Sequence, residues 1–301
     1  MSNNNIIKGV FLVALGATSY GMLATFVKLA YKENFTTAEV TSSQFILGII
    51  GILIINLFQR TKNKNKAVKA SSKNIFQLML AGTSLGMTSV FYYLAVKYIP
   101  VSIGIVLLMQ TVWMGVLLEW FLDKKAPSFQ KIISVIIVLI GTALAINIFK
   151  IDFNDPTIDW ANGLFWGLLA AASFTTTMFT ANKVALGISS AQRSLYMLLG
   201  GAVIVFGFSL YTQVTPFNFE IFAKWGIVLA LFGTIIPPML LNAGFPHTGI
   251  GLGSIVSSLE LPVSVMMAFF LLNEQVLFIQ WIGILLIITA IVIMNIQFKK
   301  K

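Results

Sequence analysis

Ten stretches of about 20 mostly apolar residues follow one another along this chain, with short polar connections between them. A helix of that length crosses the roughly 30 Å hydrocarbon core of a bilayer, because each residue adds about 1.5 Å. We therefore predict an all-α membrane protein with ten transmembrane helices. The predicted spans are 8–30, 38–58, 75–97, 100–122, 129–149, 161–183, 192–212, 222–245, 249–272 and 277–297.

The composition excludes most other classes of protein. The 301 residues are 57% hydrophobic and 10% charged, whereas a soluble domain carries about 25% charged residues. Cysteine is absent and His247 is the single histidine, so thiolate metal sites, disulfides and a conventional catalytic triad are excluded. We expect no enzymatic activity, no metal and no cofactor.

The basic residues indicate how the chain sits in the membrane. A net charge of +10 would suit a nucleic-acid partner, but the basic residues lie in the connections between apolar stretches, as in membrane proteins. With the amino terminus in the cytoplasm, most of the 20 basic residues, including Arg193, fall on the cytoplasmic side. We predict a multi-pass protein of the plasma (inner) membrane with both termini cytoplasmic and no nucleic-acid partner. The lysine-rich connection 60–73 fits a topogenic loop, with a lipid-recruiting patch as the alternative.

The two halves of the chain, 1–150 and 151–301, match each other weakly. Gly9–Phe11 aligns with Gly163–Phe165 at an offset of 154, and Phe121–Lys124 aligns with Leu271–Glu274 at an offset of 150. Each half would hold five spans, and an odd number inserts the second half upside down. Such an inverted repeat is typical of secondary transporters.

The ninth predicted span carries a more specific resemblance. Ser257–Val263 contains an acid, Glu260, shortly before a proline, Pro262, and Leu271–Glu274 follows. This pattern resembles the EamA family of the drug/metabolite transporter superfamily, over essentially the whole chain. The resemblance implies a permease with ten helices in two five-helix repeats, and export rather than uptake. The first half departs from the pattern, with Val112 and Lys124 at the aligned positions.

Glu260 is the foremost candidate for a functional residue, because it lies near the predicted membrane midplane. An ionised carboxylate is costly there and marks a solute or proton path. We predict that Glu260 binds a cationic group or a coupling proton, and that Pro262 kinks the helix beside it. The alternative is a structural acid that bonds to a neighbouring Ser, Thr or Asn.

Other polar and aromatic residues are candidates for the same cavity. Gln110 aligns with Glu260 at the 150-residue offset and has Trp113 on the same face, although a buried Gln also serves as a bond between helices. Tyr20 and Phe174 occupy equivalent places in the first and sixth spans, where they line a passage or simply pack.

The eighth span contains Pro237 and Pro238 and then Asn242. The prolines predict a local break that acts as a hinge or exposes backbone groups to a ligand, in which Asn242 would take part. A kink that only fits the helix to its neighbours is the alternative.

Two further features lie near the predicted membrane boundaries. Glu119 is expected to snorkel or to pair with Lys124 or Lys125, with a cytoplasmic gate as the alternative. Tyr92 and Tyr93 favour an interfacial aromatic belt.

The sequence thus predicts a permease that exports a small solute, such as an amino acid, by alternating access. The absence of an ATP-binding motif leaves an ion gradient, exchange or the solute's own gradient as the energy source. Efflux of hydrophobic organic cations, with Glu260 as the counter-charge, is the alternative, and a non-transporting scaffold is a further one. The expected partners are the solute and the bilayer, while proton or ion coupling and a homodimer stay open.

Overall fold

A computed structural model describes residues 3–62, 68–153, 155–273 and 275–295, and within these ranges all regular structure is helical. The all-α prediction is therefore confirmed for this part of the chain. Some predicted features fall outside the described residues, namely Lys64 and Lys66 of the lysine-rich connection, Glu274, and the carboxyl-terminal lysines.

The described first half forms six helices for its five predicted spans, because the fourth span is split in two. The helices are α1 (Asn3–Lys32), α2 (Thr37–Lys62), α3 (Ser72–Tyr98), α4 (Val101–Leu108), α5 (Thr111–Asp123) and α6 (Phe129–Ala145). The fifth predicted span continues to residue 149, but α6 ends at Ala145 and is followed by a single 3-10 turn, Ile148–Lys150.

The second half repeats this arrangement with a more irregular eighth span. Its helices are α7 (Trp160–Lys183), α8 (Ser190–Thr212), α9 (Ile227–Ala230), α10 (Ile236–Ser257), α11 (Glu260–Leu272) and α12 (Phe278–Asn295). Two π-helical turns, Phe222–Gly226 and Leu231–Ile235, flank α9. The helix α10 is bent at Gly249, whose φ of 76° and ψ of 175° are not helical.

Length and hydropathy identify seven helical segments that could cross a membrane, together with two shorter apolar helices, in the described ranges. The predicted spans 222–245 and 249–272 are joined in one of the seven, Phe222–Leu272. The short apolar helices, Phe129–Ala145 and Phe278–Met294, correspond to the fifth and tenth predicted spans.

Polar side chains begin several helices, as expected where the chain enters the membrane. Ser71, Ser128 and Ser189 each accept a hydrogen bond from the backbone N–H three residues later, at the starts of α3, α6 and α8. Asp159 does the same for α7, and its bonds from the Asn162 side chain and backbone lower the pKa of the Asp159 carboxyl.

The start of α2 is held by a buried carboxylate. The Glu39 side chain, only 2% exposed, accepts hydrogen bonds from the backbone N–H groups of Thr36 and Asn218, both at 2.7 Å, and from the Gln213 side chain at 3.2 Å. The hydroxyl of Thr36 accepts a bond from the Glu39 N–H in return, which completes a capping box. Glu39 thus ties the α1–α2 connection to the segment that follows α8.

The two halves pack against each other through equivalent helix pairs. Helix α1 packs on α10, and its equivalent in the second half, α7, packs on α3. Helix α1 also contacts α11, while α7 contacts α4 and α5. The pairs α2 with α8 and α6 with α12 each join equivalent helices. Contacts made by a helix of one half thus recur between the equivalent helices of the other half.

Glycines allow the closest of these approaches. A Cβ atom at Gly82 of α3 would collide with the backbone of Met197, and one at Gly200 of α8 would collide with the backbone of Met79. Close backbone contact through small residues suits helices in lipid, where apolar side chains gain little by leaving their surroundings.

Candidate functional site

The fourth and ninth spans are both interrupted near their middle. The first break, Met109–Gln110, separates α4 from α5, and the second, Ser258–Leu259, separates α10 from α11. Pro262 is buried in the first turn of α11, where its missing N–H removes no helical hydrogen bond. Breaks in corresponding helices of two repeats are typical of solute sites, because they expose helix ends inside the protein.

The structure corrects the predicted alignment of the two halves by one residue. The first residues of α5 and α11, Thr111 and Glu260, are separated by 149 positions, not the predicted 150. The same offset separates Lys124 and Asn273, the left-handed residues that end these two helices, with φ values of 55° and 53°. Gln110 therefore lies one residue before the position equivalent to Glu260.

Glu260 is half-buried, and its carboxylate has no hydrogen-bond or ion-pair partner in the part of the chain that the structure describes. The neighbouring hydroxyls of Ser257 and Ser258 donate to the backbone carbonyls of Gly253 and Ile255 instead. The position at the amino-terminal end of α11 favours a negative charge, because unpaired backbone N–H groups concentrate there. The helix end thus offsets part of the cost of the charge, and no described side chain occupies the carboxylate.

Two tyrosines from the first half lie near this carboxylate. The phenols of Tyr20 on α1 and Tyr92 on α3 are close enough to Glu260 to interact with it electrostatically. Gly21 allows this arrangement, since a Cβ atom there would collide with the backbone oxygen of Glu260. The sequence favoured an interfacial role for Tyr92, but the structure brings its phenol toward Glu260.

Gln110, in the break of the fourth span, forms hydrogen bonds with residues on both sides of that break. Its side-chain amide donates to the Val106 carbonyl at 2.9 Å, and its oxygen accepts from the Trp113 indole at 2.8 Å. The predicted pairing of Gln110 with Trp113 on one face is therefore present. The amide retains one N–H and one lone pair for a further partner.

Tyr20 and Phe174 meet across α1 and α7 and line a small cavity. Their ring centroids are 6.1 Å apart with an interplanar angle of 81°. The cavity has a volume of about 20 Å³, room for about one water molecule. Besides these two rings it is lined by Leu85, Thr177, Met178, Ala181, Met197, Pro238, Leu241, Asn242 and Phe245.

The two prolines of the eighth span do not break it. Pro237 and Pro238 lie in the first turn of α10, directly after the π-helical turn Leu231–Ile235. That wider turn absorbs the missing N–H groups and leaves the helix continuous. One turn later, Asn242 is buried and its amide donates to the Ser194 hydroxyl at 2.8 Å, while its Oδ1 atom has no partner among the described residues.

Arg193 is a buried charge that the sequence analysis counted only as a basic residue of the cytoplasmic side. Its guanidinium, 2% exposed, donates to the backbone carbonyls of Asn242 at 2.6 Å, Thr180 at 2.9 Å and Ala181 at 2.6 Å. It has no acidic partner among the described residues, and its Nε atom has no acceptor. The sequence did hold one signal, because Arg193 lies inside the predicted span 192–212 and not in a connection.

Glu119 pairs with Lys131, at the start of α6, and not with the predicted Lys124 or Lys125. Lys124 instead lies 4.3 Å from the centroid of the Phe121 ring. The Glu119 carboxylate lies against the backbone of Gly249 and Gly251, where a Cβ atom would collide with it. It thus contacts the residues that join the eighth and ninth spans.

The described residues contain no group of three or more His, Cys, Asp or Glu side chains that could hold a metal ion. The candidate site is instead formed by the two helix breaks, the charged side chains of Glu260 and Arg193, the amide of Gln110 and the rings of Tyr20 and Phe174.

The profile of the EamA-like transporter family matches residues 7–147 and 161–296 of this chain. The chain belongs to the EamA-like transporter family. The family is part of the drug/metabolite transporter superfamily, so the protein is a membrane transporter of that type. The two matches cover one half of the EamA protein each, and each match includes one of the two broken helices.

The fold is shared with solved structures. Among the chains with this fold, one described as "Crystal structure of protein" has a TM-score of 0.77 and 13% sequence identity. The alignment covers 96% of this chain and 97% of that chain. At this identity the likeness extends to the fold alone. No curated protein matches the chain.

Proposed function

We propose that this EamA protein crosses the membrane ten times and that its second half is inverted relative to its first. The segment Phe222–Leu272 has 51 residues, and a straight helix of that length would measure about 75 Å, far more than one crossing of about 30 Å. Gly249 bends the segment near its middle, so two antiparallel crossings fit. The 17-residue cores of α6 and α12 reach the lower limit for a span.

We further propose that both termini face the cytoplasm in an inner (plasma) membrane. The connections on the side of the α1 amino terminus contain most of the lysines, which is the charge bias that orients helical membrane proteins. We refer to this side as the lysine-rich side.

The proposed activity is secondary transport of a small solute that carries a positively charged amino group, such as an amino acid, with export as the proposed direction. The observation that carries this proposal is the Glu260 carboxylate at the break of the ninth span, which has no hydrogen-bond or ion-pair partner among the described residues. In an apolar interior a lone carboxylate favours a cationic ligand or a proton. The solute would approach Glu260 beside Tyr20 and Tyr92.

The small size of the cavity supports alternating access. A volume of about 20 Å³ holds about one water molecule and no amino acid, so passage requires the helices around it to move apart. Two inverted repeats offer two related arrangements of the same helices, one open to each side.

Hydrophobic organic cations are the second candidate solutes. The phenols of Tyr20 and Tyr92 near Glu260 favour them, because aromatic rings around a carboxylate suit bulky cations with delocalised charge.

The first test is Glu260→Gln in proteoliposomes. We expect this EamA variant to lose at least about thirtyfold of its solute counterflow, since removing one partner of a desolvated charge pair costs about 2 kcal/mol or more. The pH dependence of transport should also disappear, because an amide cannot bind a coupling proton. The matched control is Glu220→Gln, an exposed carboxylate that pairs with exposed Lys224 and should transport like the wild type. An unchanged rate and pH profile in Glu260→Gln would contradict the proposal.

A thermal-shift series separates the two solute classes. A ligand that binds the native state raises the melting temperature, and at a given concentration a tighter ligand raises it further. Stabilisation by amino acids that is lost in Glu260→Gln supports the first class, and stabilisation by quaternary ammonium compounds alone supports the second. If neither class stabilises the wild type, the assignment of a cationic solute is wrong.

A further inference from the structure

The eighth and ninth spans are joined by a corner of few residues, Asn242–Gly251, which we call the 8–9 corner. Gly249 is its single non-helical residue, and the chain is helical on both sides. Pro246 lies three residues earlier. Because proline has no N–H, the carbonyl of Asn242, four residues before it, lacks its usual helical donor.

Arg193 supplies that missing donor from a different helix. Its Nη1 atom donates to the Asn242 carbonyl at 2.6 Å. Asn182 of α7 acts in the same way one turn later, because its Nδ2 atom donates to the Phe245 carbonyl at 2.6 Å. Two side chains from outside the corner therefore hold the carbonyl end of the eighth span.

The same guanidinium also holds the end of α7. Its Nη2 atom donates to Thr180 and Ala181, whose carbonyls lie in the last turn of that helix. Carbonyls at a helix end carry partial negative charge, which balances a buried cation without an acidic partner. Arg193 thus joins α7, α8 and α10 at one point.

The other flank of the 8–9 corner meets a carboxylate. Glu119, paired with Lys131, lies against Gly249 and Gly251, where the ninth span begins. The amino-terminal end of a helix carries partial positive charge, so a carboxylate is favourable there. The corner therefore has a cation at its carbonyl end and an anion at its amide end.

These contacts lie in the wall of the cavity. Ala181, Asn242 and Phe245 line the cavity, and their own carbonyls are the groups that Arg193 and Asn182 hold. The bonds of Arg193 therefore join α7, α8 and α10 directly beside the cavity.

We propose that Arg193, Asn182 and Glu119 form the gate of the transport pathway on the lysine-rich side, and that the gate opens when Arg193 releases the Asn242 carbonyl. The proposal rests on the proposed transport function. Release leaves the guanidinium bound to Thr180 and Ala181, so the buried charge keeps partners throughout. The 8–9 corner can then swing about Gly249, which has the one backbone conformation that breaks its helix.

Thiol accessibility tests the gate without any solute. The chain has no cysteine, so Ala181→Cys places a single thiol in the wall of the cavity. A membrane-impermeant maleimide is added from the lysine-rich side of oriented membranes. We expect Arg193→Gln to raise the labelling rate at least about tenfold over the parent, because a lost hydrogen bond to a charged group is worth about 1.5–3 kcal/mol. Arg193→Lys should fall between the two, since an ammonium keeps the charge but cannot reach all three carbonyls.

The matched control is the same change at the other arginine, Arg60→Gln, which is exposed and should leave labelling unchanged. If Arg193→Gln does not fold, as judged by size-exclusion chromatography, Asn182→Ala removes only the bond to the Phe245 carbonyl and should also raise labelling. Labelling that rises equally from both sides of the membrane indicates a loosened protein and overturns the gate. Unchanged labelling in folded Arg193→Gln or Asn182→Ala overturns it as well.

The gate and the transport function can fail separately. Increased one-sided labelling supports the gate even if no solute is moved by the wild type. Solute counterflow that depends on Glu260, with no change in labelling, supports transport and overturns the gate.

Discussion

At the scale of single residues, three buried or half-buried charges are treated in three different ways. Glu39 accepts bonds from three donors and Arg193 donates to three carbonyls, so the protein itself supplies partners for both charges. Glu260 has neither a hydrogen bond nor an ion pair among the described residues. Because an unpaired buried charge is costly, the first two indicate structural ties and the third indicates a ligand position.

The first residue-scale prediction concerns Glu39. Replacement by Ala strands the N–H donors of Thr36 and Asn218 and should lower stability by about 2 kcal/mol or more. The measurement is the melting temperature of the purified protein in detergent, followed by tryptophan fluorescence. Glu220→Ala is the control, because its ion pair with Lys224 is exposed and contributes little. Equal melting temperatures for the two variants would show that Glu39 does not hold the α1–α2 connection.

At the scale of helices, fit between backbones decides which pairs approach closely. Gly200 and Gly207 lie two turns apart on α8, yet a Cβ atom at Gly200 would collide with the Met79 carbonyl, whereas nothing lies within 4 Å of one at Gly207. The same helix thus offers a tight site and an open site for one chemical change.

We expect Gly200→Ala to destabilise the protein and Gly207→Ala to be neutral or stabilising by about 0.5–1 kcal/mol, the usual gain of Ala over Gly in a helix. Overpacking at Gly200 should cost about 1–3 kcal/mol, since the backbone of α3 must move. Detergent melting curves of the two variants side by side measure the difference. If both variants shift the melting temperature by a similar amount in the same direction, then the backbone of α3 does not limit how closely α8 approaches it.

The sequence predicted the helices well and their interruptions poorly, for a physical reason. Hydropathy averages over about 20 residues, so it locates a span but does not register a two-residue break such as Met109–Gln110 or Ser258–Leu259. Pro262 did point to a disturbance of the ninth span. The first half has no proline at the corresponding place, and its break depends on packing that no local pattern shows.

The candidate site could be predicted only in part. Glu260 was evident because a charge within an apolar stretch stands out at once. Arg193 was assigned to orientation of the chain, because its three acceptors are backbone carbonyls from distant segments and leave no mark in the sequence. The partner of Glu119 was missed for the same reason, since Lys131 is brought to it by the turn between α5 and α6.

At the scale of the whole molecule, helices of each half pack against helices of the other half, so the core is shared between the two halves. Helix α1 packs on α10 and α7 packs on α3, and each partner belongs to the other half. These contacts across the boundary suit the proposed alternating access, in which the two halves move relative to each other.

The proposed inverted arrangement predicts opposite exposure for the segments that follow the equivalent helices α5 and α11. Lys125 and Gln275 are both exposed, and they follow the equivalent helices α5 and α11. In the cysteine-free chain, Lys125→Cys should react with an impermeant maleimide only from the lysine-rich side, and Gln275→Cys only from the opposite side. Reaction of both from the same side would exclude the inverted repeat.

The bend at Gly249 also limits how the chain can be altered experimentally. The α6–α7 connection contains many residues that are not helical, so an epitope tag or a fluorescent reporter can be accommodated there. A single residue turns the chain at the 8–9 corner, between a guanidinium and a carboxylate. An insertion after Gly249 would push these two charges apart, so we expect tags to be harmless in the α6–α7 connection and to abolish folding or closure at this position.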